Sequence, residues 1–250
     1  MKPLLAIFSC HRYEYTNDTS GLVRDWFQRP TVDRVSALRD TWLNEVTIDY
    51  KIFKGRCPKG LDIPTQGDEV WLNVPDDYRN SVYKLKGIIN YALEREYDTL
   101  CKIDDDVFAY WDRLIAVGLE GDYSGRLPVD DGFSVNCPGF TYWLSKRSME
   151  ILAAAPVHIW AEDRWVGEVL KKHHITPVRQ NLYHLAKWTR TCQWITDEEL
   201  KAVCNNVLSI HAMSPDQMRR HYAEICKRRV DDQLARQASV AASTTTEDNG

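Results

Sequence analysis

One stretch constrains the fold more than any other: an amphipathic helix runs into a buried strand, and the strand ends in three adjacent carboxylates. Over residues 82–95, Val82, Leu85, Ile88, Ile89, Ala92 and Leu93 recur at helical spacing, with Lys84, Lys86, Glu94 and Arg95 off the stripe. After Tyr97 and Asp98 comes the apolar run 100–103, then Asp104, Asp105 and Asp106, and apolar residues resume at Val107. An open α/β sheet presents its ligands in this way, at the carboxyl edge of its strands. Three adjacent carboxylates repel one another, so a packed structure keeps them together only with solvent, a counter-charge or a metal. Hard divalent cations such as magnesium or manganese suit an oxygen cluster of this kind. Taken alone, the turn also reads as an exposed acidic loop.

The rest of the chain keeps the alternation. Residues 4–9 read as a buried strand, 13–30 as a polar and aromatic loop, and 32–44 as a helix carrying Val35, Leu38, Trp42 and Leu43. Strands are expected at 48–53 and 69–72, joined by a Gly- and Pro-rich connection over 55–67. Downstream, 111–118 reads as a short helix and the Gly-, Pro- and Asp-rich segment 121–138 as a loop over a site. A strand at 140–144 leads to a helix capped by Ser145, then a helix at 162–172 and a strand at 175–178. Capping boxes at Thr196 with Glu199 and at Ser214 with Gln217 open helices reaching about residues 204 and 229. A strand over 207–210, ending at His211, separates them. The expected fold class is α/β, a single mixed central sheet flanked by helices. Residues 1–232 are expected to form one domain, in two halves meeting at about 110/111, with a flexible tail over 233–250.

Composition excludes some functions. A net charge of -4 argues against a general nucleic-acid coat. Seven scattered Cys without a CxxC pair suggest reduced thiols and a cytoplasmic protein. The first apolar run, residues 4–8, is too short for a signal segment, and no later run approaches the ~18 apolar residues of a membrane span. The expectation is a soluble, unanchored protein.

Three further stretches carry chemistry. Arg34 to Trp42 holds Arg39, which is either solvated or aimed at a phosphate. Trp160 to Gly167 places Glu162 and Asp163 at a helix N-terminus, where carboxylates complement the dipole and where one could serve as a general base. His211 at a strand end is either a structural residue or an imidazole partner for manganese.

In order, these stretches resemble the motifs of the beta-1,3-glycosyltransferase family, which includes galactosyl-, N-acetylglucosaminyl- and Fringe-type enzymes. Arg34-Val-Ser-Ala-Leu-Arg-Asp-Thr-Trp42 is similar to the family's Arg-Arg-x-Ala-Ile-Arg-x-Thr-Trp, with Val35 in place of the second arginine. Tyr78-Arg-Asn-Ser-Val-Tyr-Lys84 resembles Tyr-x-Asn-Leu-Thr-x-Lys, and Lys102-Ile-Asp-Asp-Asp-Val-Phe108 resembles the metal motif. Cys137 to Ser145 resembles the glycine-tyrosine-leucine-serine strand with one of its glycines kept. Glu162-Asp163 with Gly167 has the spacing of Glu-Asp-x-x-x-Gly, and His211, Pro215 and Met218 that of the closing His-x-x-x-Pro-x-x-Met.

The resemblance implies a GT-A fold, a UDP-sugar donor, and manganese (or magnesium) as the metal. It implies Asp106 and His211 as metal ligands, Asp104 against the uridine ribose, Asp105 positioning the turn, and Arg39 and Lys84 as donor contacts. An inverting displacement needs one base, for which Asp163 is the choice and Glu162 the reserve. The acceptor is a saccharide or a hydroxymethylated base in DNA. The second reading draws on the basic residues Arg219, Arg220, Lys227, Arg228 and Arg229 and on Lys187-Trp-Thr-Arg190. A non-catalytic nucleotide-sugar or glycan-binding module is the remaining alternative.

Overall fold

The computed structural model describes residues 1–10, 32–56, 67–127, 136–180, 183–184, 195–203 and 207–247. The expected loop at 13–30 and the Lys187 to Arg190 segment lie outside these residues.

The centre is a mixed sheet of seven strands in the order β3-β2-β1-β4-β7-β6-β8. Its strands are β1 Pro3–Phe8, β2 Asp49–Lys54, β3 Glu69–Trp71, β4 Thr99–Asp104, β6 Tyr123–Gly125, β7 Thr141–Ser145 and β8 Val178–Arg179. β7 is antiparallel to both of its neighbours, while β1 to β4 are mutually parallel and β6 is parallel to β8. The mixed α/β architecture read from the sequence is therefore the one observed. A small second sheet joins β5 Phe108–Ala109, β10 Ser209–Ile210 and β9 Tyr183–His184.

Side chains alternate across the central sheet, as strand geometry requires. Leu5, Ile7, Ile52, Cys101 and Ile103 face one apolar cluster; Leu4, Ala6, Phe53 and Leu100 face the other. The first cluster is closed by α1 Val32–Asp40, α3 Trp111–Val117 and the start of α7 Pro215–Glu247, through Leu38, Leu114 and Met218. The second is closed by α2 Ser81–Glu94, α4 Lys146–Ala154 and α5 Glu162–Lys172, through Leu85, Leu152 and Trp165. Each fully buried Leu, Ile or Phe on these faces contributes about 1.5–3 kcal/mol of transfer free energy.

Helix starts follow the local chemistry. Ser145 Oγ accepts from the Ser148 amide at the head of α4. Both arms of each capping box form, Thr196 with Glu199 before α6 Asp197–Val203 and Ser214 with Gln217 at α7. Several boundaries differ from the sequence reading. The strands expected at 175–178 and 207–210 are the shorter β8 and β10, and β5 and β9 were not expected. Two larger differences have a clear cause. β6 lies inside the segment read as a loop, because a three-residue strand flanked by Gly121 and ending at Gly125 has too little periodicity to register. α7 continues past Arg229 to Glu247, since Gln, Ala and Arg after residue 232 keep good helix propensity without an apolar stripe. No helix among the described residues is long and apolar enough to cross a membrane.

Gly55, just after β2, marks a close approach. A Cβ there would lie 2.5 Å from Asp76 Cβ and 2.6 Å from its backbone Cα, and the Gly55 amide donates to Asp76 Oδ1 at 2.8 Å. Gly55→Ala is expected to cost about 1–3 kcal/mol, read as a lower urea midpoint with unchanged slope.

Candidate functional site

The topology creates a switch point. The chain leaves β1 toward β2 and β3 on one side, then returns to lay β4 on the other. Ligands of open α/β sheets bind outside the carboxyl ends of such a strand pair. Here those ends carry Ser9 and Cys10 after β1 and Asp104 to Asp106 after β4.

The second sheet brings His211 to this edge. Ile210 of β10 pairs with Phe108 of β5, so the next residue of β10 arrives beside the acidic turn. Ala212 then adopts φ +60°, and the Met213 amide donates to the Asp106 carbonyl at 3.0 Å. A left-handed non-glycine residue costs on the order of 1 kcal/mol, and here it accompanies the bend that folds the segment back on the turn. His211 Nε2 lies 3.7 Å from Asp106 Oδ1, and its ring sits 5.0 Å from that of Phe140. One ligand atom each from Asp104, Asp106 and His211 falls within 4.8 Å of the others. Asp106 and His211 are 5 % and 7 % exposed. Two expected metal residues are thus adjacent, and Asp104, expected at the ribose, stands with them.

The middle carboxylate faces elsewhere. Asp105 is buried and accepts from Ser9 Oγ at 2.8 Å and Arg34 Nη1 at 3.0 Å. Its interactions tie the acidic turn to the end of β1 and to α1. Lys84 comes to the same edge, donating to the Ser9 carbonyl at 2.7 Å and to Asp76 Oδ1 at 2.5 Å. It is 3 % exposed although it lies off the apolar stripe of its helix. An ammonium can be buried this way because a carboxylate and a carbonyl replace its water. Arg39 does not join the cluster. Its guanidinium is held by both oxygens of Asp68 and by Glu69. Glu69 is in register with Ile52, Ile7 and Ile103, three strands from β4, or roughly 14 Å at about 4.8 Å per strand. In this structure Arg39 is held by a salt bridge at the edge strand.

Glu162 and Asp163 open α5, where the dipole favours negative charge. Glu162 is buried: its Oε2 accepts from Tyr142 Oη at 2.6 Å and its Oε1 from Lys102 Nζ at 3.0 Å. Burial, with the nearby Asp163, pushes its carboxyl up to about 7, against the lowering pull of Lys102. Asp163 is less enclosed; its Oδ1 accepts from the Arg164 amide at 2.7 Å.

Lys102 is the functional candidate that the sequence reading missed. It is 1 % exposed inside β4, and its Nζ contacts Asp104 Oδ1 at 2.5 Å, Glu162 Oε1 and the Gly139 carbonyl. Burial alone would lower its pKa, but the charges of Asp104 and Glu162 raise it, so the ammonium persists. One ammonium shared by two carboxylates cannot neutralise both. Burial, opposed by Lys102 and reinforced by Asp106, accordingly pushes Asp104 up to about 6. The available signal was a charged residue inside an apolar strand, which demands a partner. Gly139 was equally legible only in retrospect, since a Cβ there would meet Glu162 Oε1 at 2.6 Å.

No protein-family model matches the sequence, and neither does any curated protein. Solved structures with a similar arrangement include a protein described as a nucleotide-diphospho-sugar transferase from Desulfovibrio desulfuricans G20, at 11% identity and TM-score 0.45, over 72% of this chain and 80% of that one. A second is a glycosyltransferase involved in glycosylation of the major capsid of PBCV-1, at 12% identity and TM-score 0.47, over 89% and 100% of the two chains. A third is HddC from Yersinia pseudotuberculosis, at 15% identity and TM-score 0.38, over 65% and 84%.

Proposed function

We propose that this chain is a divalent-metal-dependent glycosyltransferase of GT-A type, moving a sugar from a UDP-sugar donor to an acceptor hydroxyl with inversion. The observation that carries the reading is the grouping of Asp104, Asp106 and His211 at the switch point of the sheet. The donor set fits a borderline or hard cation such as manganese or magnesium. Asp106 Oδ1 supports that fit, since it is buried and accepts no hydrogen bond among the described residues. Asp104, Asp106 and His211 would hold such an ion, which would supply neutralising charge for a departing diphosphate.

The remaining roles fall to side chains of the chain itself. Asp105, Arg34, Ser9 and Lys84 hold the donor edge rigid. Asp163 removes the acceptor proton, because Glu162 is committed to Lys102 and Tyr142 whereas Asp163 keeps an oxygen free of intrahelical bonding. A saccharide acceptor is favoured over DNA. Trp160, 51% exposed and three residues before Asp163, offers an apolar face for a sugar ring. Four of the five basic residues on that helix form ion pairs: Arg219 with Asp40, Arg220 with Asp197, Arg228 with Glu224 and Arg229 with Glu45.

A thermal-shift panel of UDP-sugars tests the reading. At a hundred times Kd a ligand adds about 2.7 kcal/mol, or roughly 5–10 °C for a chain of this length. That shift is expected with at least one UDP-sugar only when manganese is present. No shift with any UDP-sugar, with or without manganese, would overturn the reading; a shift without UDP release on any acceptor would favour a binding module.

A further inference from the structure

We propose that Lys102 is a positioning residue that links metal occupancy at Asp104 to the placement of the α5 N-terminus; this rests on the metal-dependent reading above. Three acceptors from three separate elements converge on its ammonium: Asp104 at the end of β4, the Gly139 carbonyl before β7, and Glu162 in the first turn of α5. An ammonium has three protons, and each has one acceptor. Phe8 lies beneath it at 4.6 Å and the Tyr142 ring at 5.7 Å, so no water competes for the charge on those sides. Gly139 allows the close approach of Glu162 that completes the set.

The charge balance then gives a linkage. The ammonium divides its attraction between Asp104 and Glu162. A cation at Asp104 competes for that carboxylate, and Lys102 turns its charge toward Glu162, tightening the segment that carries Asp163. Conversely, whatever strengthens the Lys102–Asp104 contact weakens metal binding. Two substitutions should therefore move metal affinity in opposite directions, although neither residue belongs to the metal-binding group.

Manganese binding is read directly from the free-ion electron paramagnetic resonance signal at fixed pH. Lys102→Met removes a positive charge beside Asp104 and should bind manganese on the order of tenfold more tightly. Its UDP release should nevertheless fall on the order of 100-fold, because the α5 N-terminus loses its anchor. Glu162→Gln leaves Lys102 wholly on Asp104 and should weaken manganese binding several-fold. A merely structural lysine would lower affinity and turnover together. Equal or weaker binding by Lys102→Met overturns the proposal. If that variant does not fold, Glu162→Gln decides: unchanged or tighter binding overturns it, weaker binding supports it. Absence of manganese binding by the wild-type protein refutes the metal-dependent reading instead.

Discussion

Asp163→Asn is expected to abolish sugar transfer while leaving manganese and UDP binding intact. General-base catalysis contributes about 10²–10⁴-fold, and turnover should fall by that amount. The amide is nearly isosteric and keeps an acceptor oxygen for the Arg164 amide, so the helix start survives. Lost dipole complementarity costs only about 0.3–1 kcal/mol. The thermal shift with UDP and manganese should match wild type, because Asp163 is not in the Asp104, Asp106 and His211 group. Near-normal turnover would show that another group takes the proton. Glu162→Gln would not mimic the result cleanly, since it also breaks the Lys102 contact and changes the Tyr142 bond.

The second large effect belongs to Asp106→Asn. Manganese-dependent stabilisation by UDP should disappear, a loss of roughly 5–10 °C under the saturating conditions above. Without metal the variant should be at least as stable as wild type. Asp106 is buried next to Asp104, and its charge helps push the Asp104 carboxyl up. Removing one of two facing carboxylates relieves that repulsion. A variant destabilised without metal but still shifted by UDP and manganese would show that Asp106 supports the fold and does not hold the ion.

Much of the frame could be read from residues in order. The stripe from Val82 to Leu93, the buried run before Asp104 and the two capping boxes each encode their element locally, through periodicity or a side chain reaching three residues along. β6 and β5 escaped because two or three residues carry no period, and their pairing partners lie far along the chain. The acidic turn, the acidic helix start and His211 were legible from residue type and position, and motif order gave them their separate roles. Arg39 was named on the same grounds, yet it is satisfied at the edge strand, because a motif records residue types and not which carboxylate reaches them first.

The sequence by itself determined the chemistry available: three carboxylates ending a strand, an acidic helix start, and an imidazole closing a later strand. Only the tertiary structure decided which of these meet. Pairing of β10 with β5 across about a hundred residues set His211 beside Asp106, and the strand crossover set both at the carboxyl edge. Burial decided the rest. Inside the sheet, Lys102 is deprived of water and must take Asp104, Gly139 and Glu162 as partners, an arrangement fixed by desolvation and charge and not by anything adjacent in the chain.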